Sequence, residues 1–255
     1  MKTAVISGGN GGLGRALADQ LEAAGWHCVL MDINIAGLQA SETRTPVAVD
    51  LTDWADLANA ASQIIAARPS IDLVIYNAGV SQIGPFAQSD AASHRRVFDI
   101  NYFAAVEMAR AFVAPIRESH GTHLAISSVA GFAPLHNRTA YAASKHAMQG
   151  FFASLRSEEA AFGVQCLIAA PSFVATNMGN AQQSKDGIVR PGSAADGIDH
   201  LSPEAAAKII LRGVEKGHEF IPVGRVARIA ALLMRASPGL YQFAMRRKIR
   251  GGGAA

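Results

Sequence analysis

The sequence predicts an α/β fold, a single-domain doubly wound parallel sheet with helices on both faces. Three observations carry this prediction. Short β-rich runs alternate with longer helical patterns, which is typical of a doubly wound sheet. Several of the short runs are continuously apolar, which suits strands that are covered on both faces. No repeat and no low-complexity linker divides the 255 residues, so we predict one domain.

The predicted strands are separated mostly by segments long enough for a helix. They are Ala4–Ser7, Cys28–Asp32, Val47–Val49, Leu73–Asn77, His123–Ser127, Gln165–Ala169 and Phe220–Val223. The predicted helices are Leu13–Ala23, Trp54–Ala67, Asp90–Glu118, Ala142–Ala161 and Pro203–Lys216. Residues 178–200 fit neither period, and a loop of that length inside a domain is typical of a lid or substrate loop. Residues 1–222 form the main domain in this interpretation, and residues 223–255 form a basic, amphipathic helical extension of it.

Charge is distributed unevenly along the chain. Only 17% of the residues are charged and half are apolar, which excludes a disordered chain. The formal net charge is +3, but residues 220–255 contain seven Lys and Arg and no Asp or Glu. The remaining 219 residues contain 16 basic and 20 acidic side chains, so an acidic body carries a basic tail. We expect no nucleic-acid partner.

Cysteine usage and the N-terminus bear on the compartment. Cys28 and Cys166 both lie in apolar strand-like runs, without the spacing of a disulfide framework or a metal site. We therefore predict two buried, reduced thiols and no metal. Met1 leads directly into a strand, and no apolar stretch approaches the ~18 residues that span a bilayer. We expect a cytoplasmic protein.

A glycine-rich turn follows the first strand. Residues 7–14 are Ser-Gly-Gly-Asn-Gly-Gly-Leu-Gly, and an amphipathic helix begins there. Glycine permits a tight turn and a close approach to a pyrophosphate, and the helix N-terminus offers N–H groups to phosphates. A purely structural turn is the alternative. We predict a Rossmann-type dinucleotide site, with cofactor contacts from Gly8, Asn10, Gly12, Leu13 and Gly14.

An acidic residue ends the second strand. Asp32 lies eighteen residues after Gly14, where its carboxylate can accept hydrogen bonds from the adenosine ribose hydroxyls. It would repel a 2′-phosphate, and residues 31–43 contain no Lys or Arg to hold one, although Arg15 and Arg44 lie just outside. We therefore predict NAD rather than NADP. A helix cap or turn is the alternative role for Asp32.

Two further strand ends carry residues of interest. Asn77-Ala78-Gly79 ends the fourth strand, and ligands bind at the carboxyl ends of parallel strands. Small residues there leave room for a cofactor. Asp50 ends the third strand, where a turn or cap is the alternative role, although Asp53 fits a cap better.

The strongest chemical signal lies in residues 127–145. Tyr141 and Lys145 are four residues apart and share a helical face, and Ser128 follows the fifth strand. A phenol with a pKa of ~10 is a poor catalyst at pH 7, but a nearby ammonium and a cationic nicotinamide would lower that value. Tyr141 could then act as a general base or acid, while Ser128 hydrogen-bonds the substrate oxygen. A surface pair is the alternative for Tyr141 and Lys145 alone.

These motifs resemble the short-chain dehydrogenase/reductase family, NAD(P)-dependent enzymes, over about residues 3–222. Ser7–Gly14 is similar to the family's Thr-Gly-x-x-x-Gly-x-Gly turn, with Ser7 in place of Thr. Asn77-Ala78-Gly79 resembles its Asn-Ala-Gly motif. Asn101, Ser128, Tyr141 and Lys145 match its catalytic residues, and the 13-residue gap before Tyr141 selects Ser128 over Ser127.

The resemblance also implies roles. Pro171-Ser-Phe-Val174-Ala-Thr176 is similar to the Pro-Gly-x-Val-x-Thr segment that cups the nicotinamide, with Ser172 in place of glycine. Lys145 would also hold the nicotinamide ribose, and Asn101 would keep a water in a proton relay behind it. The implied cofactor contacts outside the glycine turn are Asp32, Asp50 and Leu51 at the adenosine, then Asn77, Ala78, Gly79, Tyr141, Lys145, Pro171, Val174 and Thr176.

The resemblance implies an NAD-dependent alcohol dehydrogenase or carbonyl reductase. The candidate pocket residues are mostly apolar or neutral, which favours a secondary alcohol or ketone on a largely apolar body; they are Val80–Ile83, Ala130, Leu135–Arg138, Phe173 and the 178–200 loop. Arg138, Lys185 or Arg190 could instead meet a carboxylate or phosphate, with solvated surface as the alternative. A non-catalytic dinucleotide sensor or scaffold is the competing class, against which the intact Ser128, Tyr141 and Lys145 argue.

Two segments bear on assembly. In the family, the helices corresponding to Asp90–Glu118 and Ala142–Ala161 often form a dimer interface, so a homodimer or homotetramer is expected, with core packing as the alternative.

The basic tail has an amphipathic pattern. Arg225, Arg228 and Arg235 share a rough helical face, and Ile229, Leu233 and Ala236 lie largely off that face. Membrane-surface contact through residues 224–250 is one interpretation. We favour a helix pair that covers the pocket or a subunit contact.

Overall fold

Seven parallel strands form the central sheet of the computed structural model, which describes residues 1–68, 70–175, 188–189 and 200–252. The strands are β1 (Thr3–Ser7), β2 (His27–Asp32), β3 (Arg44–Ala48), β4 (Leu73–Tyr76), β5 (Thr122–Ile126), β6 (Gln165–Pro171) and β7 (Phe220–Val223). Their order across the sheet is β7-β6-β5-β4-β1-β2-β3, and every neighbouring pair is parallel. The order reverses between β1 and β4, which is where ligands bind in sheets of this kind.

Eight α-helices surround or extend this sheet in the described residues. They are α1 (Gly12–Ala23), α2 (Trp54–Ala67), α3 (Ala91–Phe98), α4 (Ala104–Glu118), α5 (Thr139–Glu159), α6 (Pro203–Glu215), α7 (Arg225–Ala236) and α8 (Pro238–Gly252). Short 3-10 turns cover Phe86–Gln88, Val129–Gly131 and Ala160–Phe162. Ser81–Gln82 pairs with Ile188–Val189, and Phe173–Val174 pairs with His200–Leu201. None of the described helices is both long enough and apolar enough to cross a membrane.

Apolar side chains fill both faces of the sheet. Val5, Val29 and Val74 point to one side, where they pack with Met108 and Phe112 of α4. The intervening strand residues, including Ile6, Leu30 and Ile75, pack on the other side with helices α1 and α6. Because successive strand side chains alternate between faces, burial on both faces explains the continuous apolar runs. The predicted doubly wound parallel sheet is confirmed.

The prediction of one continuous helix from Asp90 to Glu118 was wrong in its middle. A π-helical turn at Asp99–Phe103 separates α3 from α4, and Asp90 caps the start of α3 through the Ser93 amide. A π turn accommodates one extra residue in a helix and is frequent at functional sites. Periodicity alone did not detect this turn, because apolar residues continue on both sides of it.

The cap of α2 and the surroundings of the two cysteines agree with their predictions. Asp53 caps α2 by accepting from the amides of Ala55 and Asp56, as expected. Cys28 and Cys166 are buried and free, as expected, and burial raises the pKa of each thiol to about 12.

Helices α7 and α8 form a pair that packs on the segment that follows β5. The expectation that this pair covers the pocket or a subunit contact stays a prediction. Ala227, Ala230 and Tyr241 contribute the inner side of this pair and pack against Val129 and Ala133. The Tyr241 hydroxyl donates to the Pro134 carbonyl at 3.4 Å.

The exposed side of α7 is broader than the arginine face. Ile229 and Ala236, which were expected to lie largely off that face together with Leu233, are exposed, as are Arg225 and Arg228. Leu233 packs against the inner cluster that contains Ala227 and Ala230.

A buried polar pair lies in the centre of the sheet. The Tyr76 hydroxyl and His123 Nδ1 are 2.6 Å apart, and both side chains are buried. His123 Nε2 has no hydrogen-bond partner among the described residues. Burial disfavours the charged imidazolium and lowers the pKa of His123 to about 4.

This burial predicts acid sensitivity. In the unfolded chain His123 takes up a proton near its ordinary value of 6.5, whereas the folded protein resists protonation down to about 4. Stability is therefore complete above that ordinary value and is lost as the pH falls towards the folded value. Between pH 7 and pH 5 the unfolding free energy of the wild type should fall by about 2 kcal/mol more than that of His123→Gln, measured by urea denaturation. Equal losses in the two proteins would contradict this account.

Candidate active site

Three glycines of the glycine-rich turn, Gly8, Gly9 and Gly14, have no space for a side chain. Gly8 has a φ of +63°, and a Cβ added there would lie 2.9 Å from the Ala78 Cα atom. A Cβ added to Gly14 would lie 2.3 Å from the carbonyl oxygen of Gly8. Helix α1 begins at Gly12, and Gly11 at its N-cap provides no side-chain hydrogen bond. The turn therefore presents a narrow backbone surface beside uncapped N–H groups, which is the arrangement that suits a phosphate.

Ser7 joins this turn to the end of β4. Its hydroxyl donates to the Ile75 carbonyl at 3.3 Å and accepts from the amides of Asn77 and Ala78 at 3.0 and 3.1 Å. The Asn77 side chain donates back to the carbonyls of Ser7 and Gly8, at 3.1 and 3.0 Å. Serine in place of threonine thus keeps the hydroxyl that the contact needs.

Asp32 lies beside the glycine turn. Its two carboxylate oxygens accept from the backbone amides of Asn10, at 3.0 Å, and of Asn34, at 3.1 Å. The Arg15 guanidinium donates to the Asn10 side chain and to its carbonyl. Asp32 therefore shapes a local turn, as the alternative role predicted, and its contact with the adenosine ribose stays a prediction.

Asp50 takes part in a local turn, as the alternative interpretation predicted. One carboxylate oxygen accepts from the amide and hydroxyl of Thr52 at 2.9 and 2.7 Å. Leu51 is half-buried and packs against the core. The adenine contact of these two residues stays a prediction.

Asn101 fixes the segment that follows β4 and is fully buried in the π turn. Its Oδ1 accepts from the Val80 amide at 2.8 Å, and its Nδ2 donates to the Val80 carbonyl at 2.9 Å and to Ser144 Oγ at 3.0 Å. Ser144 in turn donates to the carbonyl of Tyr141 at 2.8 Å. Ser144 is a site residue that the motif contained but to which we assigned no role.

Lys145 is buried behind this segment. Its Nζ donates to the Ile126 carbonyl at 2.9 Å and lies 6.0 Å from the centre of the Tyr141 ring. A Cβ added to Gly79 would come within 3.5 Å of that nitrogen. Burial lowers the pKa of Lys145 to about 8, because the ammonium loses its hydration.

Burial raises the pKa of Tyr141, and a hydrogen bond from the Ser128 side chain and the positive charge of Arg138 oppose the rise. The expectation that Lys145 lowers this pKa was wrong for the chain as it stands, because the ammonium is directed to the Ile126 carbonyl. The expected proximity of Ser128, Tyr141 and Lys145 is nevertheless present.

The segment after β6 is tied to β7. The Ser172 amide and hydroxyl both donate to the Val223 carbonyl, at 3.0 and 3.2 Å, so serine at the family's glycine position secures this turn. Val174 pairs with Leu201. Thr176, Lys185, Arg190 and most of the 178–200 loop lie outside the described residues.

The predicted residues therefore meet at one edge of the sheet. Each follows the carboxyl end of a strand or lies on a helix that borders it; they are Gly8, Asn10, Gly12, Leu13, Gly14, Asp32, Asp50, Leu51, Asn77, Ala78, Gly79, Asn101, Ser128, Tyr141, Lys145, Pro171 and Val174. Within the described ranges, no group of three or more His, Cys, Asp or Glu side chains could hold a metal ion.

Comparison with known proteins identifies the family. The family model for short chain dehydrogenases matches residues 2–187. The chain belongs to the NAD(P)-dependent short-chain dehydrogenase/reductase family. It is 32% identical to a Xenopus laevis dehydrogenase/reductase SDR family member 7B, over 93% of this chain and 78% of that protein.

Solved structures of the short-chain dehydrogenase/reductase family share the fold. A short chain dehydrogenase from Burkholderia cenocepacia in complex with NADP has a TM-score of 0.80 at 22% identity, covering 95% of this chain and 96% of that one. A short chain dehydrogenase/reductase from Burkholderia phymatum in complex with NAD has a TM-score of 0.75 at 24% identity, covering 86% and 88%.

The buried Lys145 ammonium predicts a stability gain on its removal. Lys145→Met should raise the unfolding free energy by about 3 kcal/mol at pH 7, since a buried amine with a lowered pKa destabilises the fold while it is protonated. The gain should shrink as the pH rises from the folded value of about 8 to the ordinary value of 10.5. Urea denaturation across this range is the measurement. Lys208→Met, on the exposed side of α6, is the control; a gain at Lys145 that does not change with pH would contradict the account.

Proposed function

We propose that this protein is an NAD-dependent oxidoreductase that interconverts a secondary alcohol and its ketone, with Tyr141 as general acid and base. One observation carries the proposal. Ser128 and Tyr141 lie together at the edge of the sheet that carries the glycine turn, and the buried Lys145 Nζ lies 6.0 Å from the centre of the Tyr141 ring. The family assignment supports an oxidoreductase. It leaves the substrate and the cofactor preference open.

The residues present fit a dinucleotide. The glycine turn has no room for a Cβ at Gly8, Gly9 or Gly14, the first turn of α1 has no side-chain cap, and Asp32 lies next to the turn. Gly8, Gly12, Leu13 and Gly14 would hold the pyrophosphate, and Asp32 would hold the adenosine ribose. When bound, the nicotinamide accepts a hydride from the alcohol or supplies one to the ketone.

The protein's own groups would handle the proton. In ketone reduction Tyr141 donates its proton to the substrate oxygen, and in alcohol oxidation it removes that proton. Ser128 donates a hydrogen bond to the same oxygen while negative charge develops there. Lys145 has a pKa of about 8 and is therefore largely protonated at pH 7, and its ammonium would hold the nicotinamide ribose. We also propose that Asn101 orders a water behind Lys145.

Asp32 supports a preference for NAD. A 2′-phosphate would meet this carboxylate, and the nearby Arg15 guanidinium is hydrogen-bonded to Asn10. The structural neighbours include one complex with NADP and one with NAD, so they do not decide the preference.

The substrate is proposed to be largely apolar. Ala130 is buried after Ser128, and Val80 and Phe173 are half-buried at the ends of β4 and β6. Arg138, one of the cations that could instead meet a substrate carboxylate or phosphate, donates to the Ser81 hydroxyl at 3.2 Å.

We further propose a cytoplasmic homodimer or homotetramer. Tyr102 of the π turn packs edge-on against Phe103 and against Phe151 of α5, and Phe103 is exposed. These rings form an apolar face across the two helices that the family uses for dimerisation.

Removing the Tyr141 hydroxyl should abolish turnover. Tyr141→Phe should lower kcat at least ~10³-fold because no other group replaces the proton donor, while NADH binding stays within about twofold in a fluorescence titration. Tyr241→Phe removes a phenol outside the site and should keep the wild-type rate. A Tyr141→Phe enzyme that retained its rate would refute the assignment.

Failure of the wild type would point to the competing class. If NADH binds tightly and no member of a broad alcohol and ketone panel changes NADH absorbance, a dinucleotide sensor or scaffold becomes the better description.

Changing Asp32 should alter cofactor choice. The wild type should bind NADH more tightly than NADPH, and Asp32→Ser should weaken NADH about tenfold, since hydrogen bonds to a charged group contribute ~1.5–3 kcal/mol. The same change should weaken NADPH less, because it also removes the repulsion of the 2′-phosphate. Isothermal titration with both cofactors measures this, with Asp19→Ser, an exposed acid in α1, as the control. Tighter binding of NADPH by the wild type would overturn the proposal.

A further inference from the structure

We propose that the outer face of the α7–α8 helix pair is a docking surface for an anionic phospholipid bilayer. This outer face comprises the side chains of the pair that point away from the inner cluster of Ala227, Ala230 and Tyr241. Its apolar members are Ile229, Leu232, Leu240 and Phe243. Its cationic members include Arg228, Arg235, Arg246 and Arg247. The proposal is independent of the catalytic assignment.

Apolar exposure is concentrated on this face. Ile229 is 58% exposed, Leu232 68%, Leu240 53% and Phe243 63%. Ten large apolar side chains are exposed in the described part of the chain, and these four occur within fifteen consecutive residues. Single exposed apolar residues are ordinary, but a contiguous group of them marks an interaction surface.

The spacing places these side chains in stripes. On α7, Arg228, Ile229, Leu232 and Arg235 recur at the intervals that keep residues on one side of a helix. On α8, Leu240, Phe243 and Arg247 do the same. The buried residues of both helices belong to one cluster, which also contains Val129 and Ala133, so the two stripes point away from the domain.

The charge of this face has one sign. All five described arginines of the pair are exposed, and no Asp or Glu occurs after Glu219. Arg228, Arg235, Arg246 and Arg247 form no ion pair with any described carboxylate. A basic face with exposed aliphatic and aromatic side chains is the profile of a helix that lies in a bilayer interface, with its apolar side chains inserted below the headgroups.

Charge also argues against the other occupants. A symmetric contact between two copies of this face would place arginines against arginines with no acid to compensate them. Nucleic acid would use the arginines, but it offers no apolar phase for Leu232 and Phe243. An anionic bilayer satisfies both requirements, because each arginine near the surface contributes favourably and the apolar side chains leave water.

The test uses the full-length protein and vesicle flotation. We expect binding to vesicles of phosphatidylglycerol mixed with phosphatidylcholine, much weaker binding to phosphatidylcholine alone, and weakening by salt. Arg228→Gln combined with Arg247→Gln should weaken binding about 25-fold, or roughly fivefold for each arginine. Leu232→Ser combined with Phe243→Ser should weaken it at least about tenfold. These side chains are exposed, so the variants should keep the wild-type melting temperature.

Matched controls separate this face from general surface effects. Arg110→Gln and Phe86→Ser alter an exposed arginine and an exposed phenylalanine elsewhere and should bind vesicles like the wild type. The proposal is overturned if the full-length protein binds neither vesicle, binds both equally, or binds unchanged in the two paired variants. It is also overturned if those variants change the oligomer mass by light scattering or the affinity for duplex DNA while vesicle binding is absent.

Discussion

The contact between the ends of β1 and β4 is the constraint on which the candidate site depends. These two strands lie where the sheet order reverses, and the Ser7 hydroxyl and the Asn77 amide hold their ends together through five hydrogen bonds. The glycine turn packs so closely against that junction that a Cβ on Gly8 would collide with Ala78. The pairing of β1 and β4 in the sheet therefore fixes the positions of the loops that form the candidate site.

The same edge of the sheet buries polar groups that a structure optimised for stability alone would avoid. Asn101 is buried and makes three hydrogen bonds, so its desolvation is compensated. Lys145 is buried and donates to the Ile126 carbonyl and the Met148 sulfur, and it forms no ion pair with a described carboxylate. Its pKa is lowered because its charge is buried without compensation. Groups of this kind are frequent where chemistry occurs, because catalysis needs charge in a place where water is scarce. The fold tolerates it because the apolar layers on both sides of the sheet are extensive.

Sequence patterns predicted the sheet and most of its helices, because these depend on local periodicity, and motifs selected residues that the fold brings to one edge of the sheet. They failed where distant contacts decide. The third strand was predicted at Val47–Val49 but begins at Arg44, a charged residue that an edge strand admits because it pairs with Asp19 and Glu22. The side of α7 that faces the domain is set by packing against Val129, a residue distant in the sequence, so the pattern of the tail does not determine it. The direction of the Tyr141 pKa depended on burial and on where the Lys145 ammonium points.

The π turn at Asp99–Phe103 has a consequence for how this chain could vary. A π turn holds one residue more than an α-helix of the same length, and the helices on each side keep their own registers. Loss of one residue at this point would restore a regular helix, and the apolar stripes of α3 and α4 would still face the core. What would disappear is the position from which Asn101 reaches Val80 and Ser144. A relative that is one residue shorter at this turn would therefore keep the fold and lose the position of Asn101 in the site.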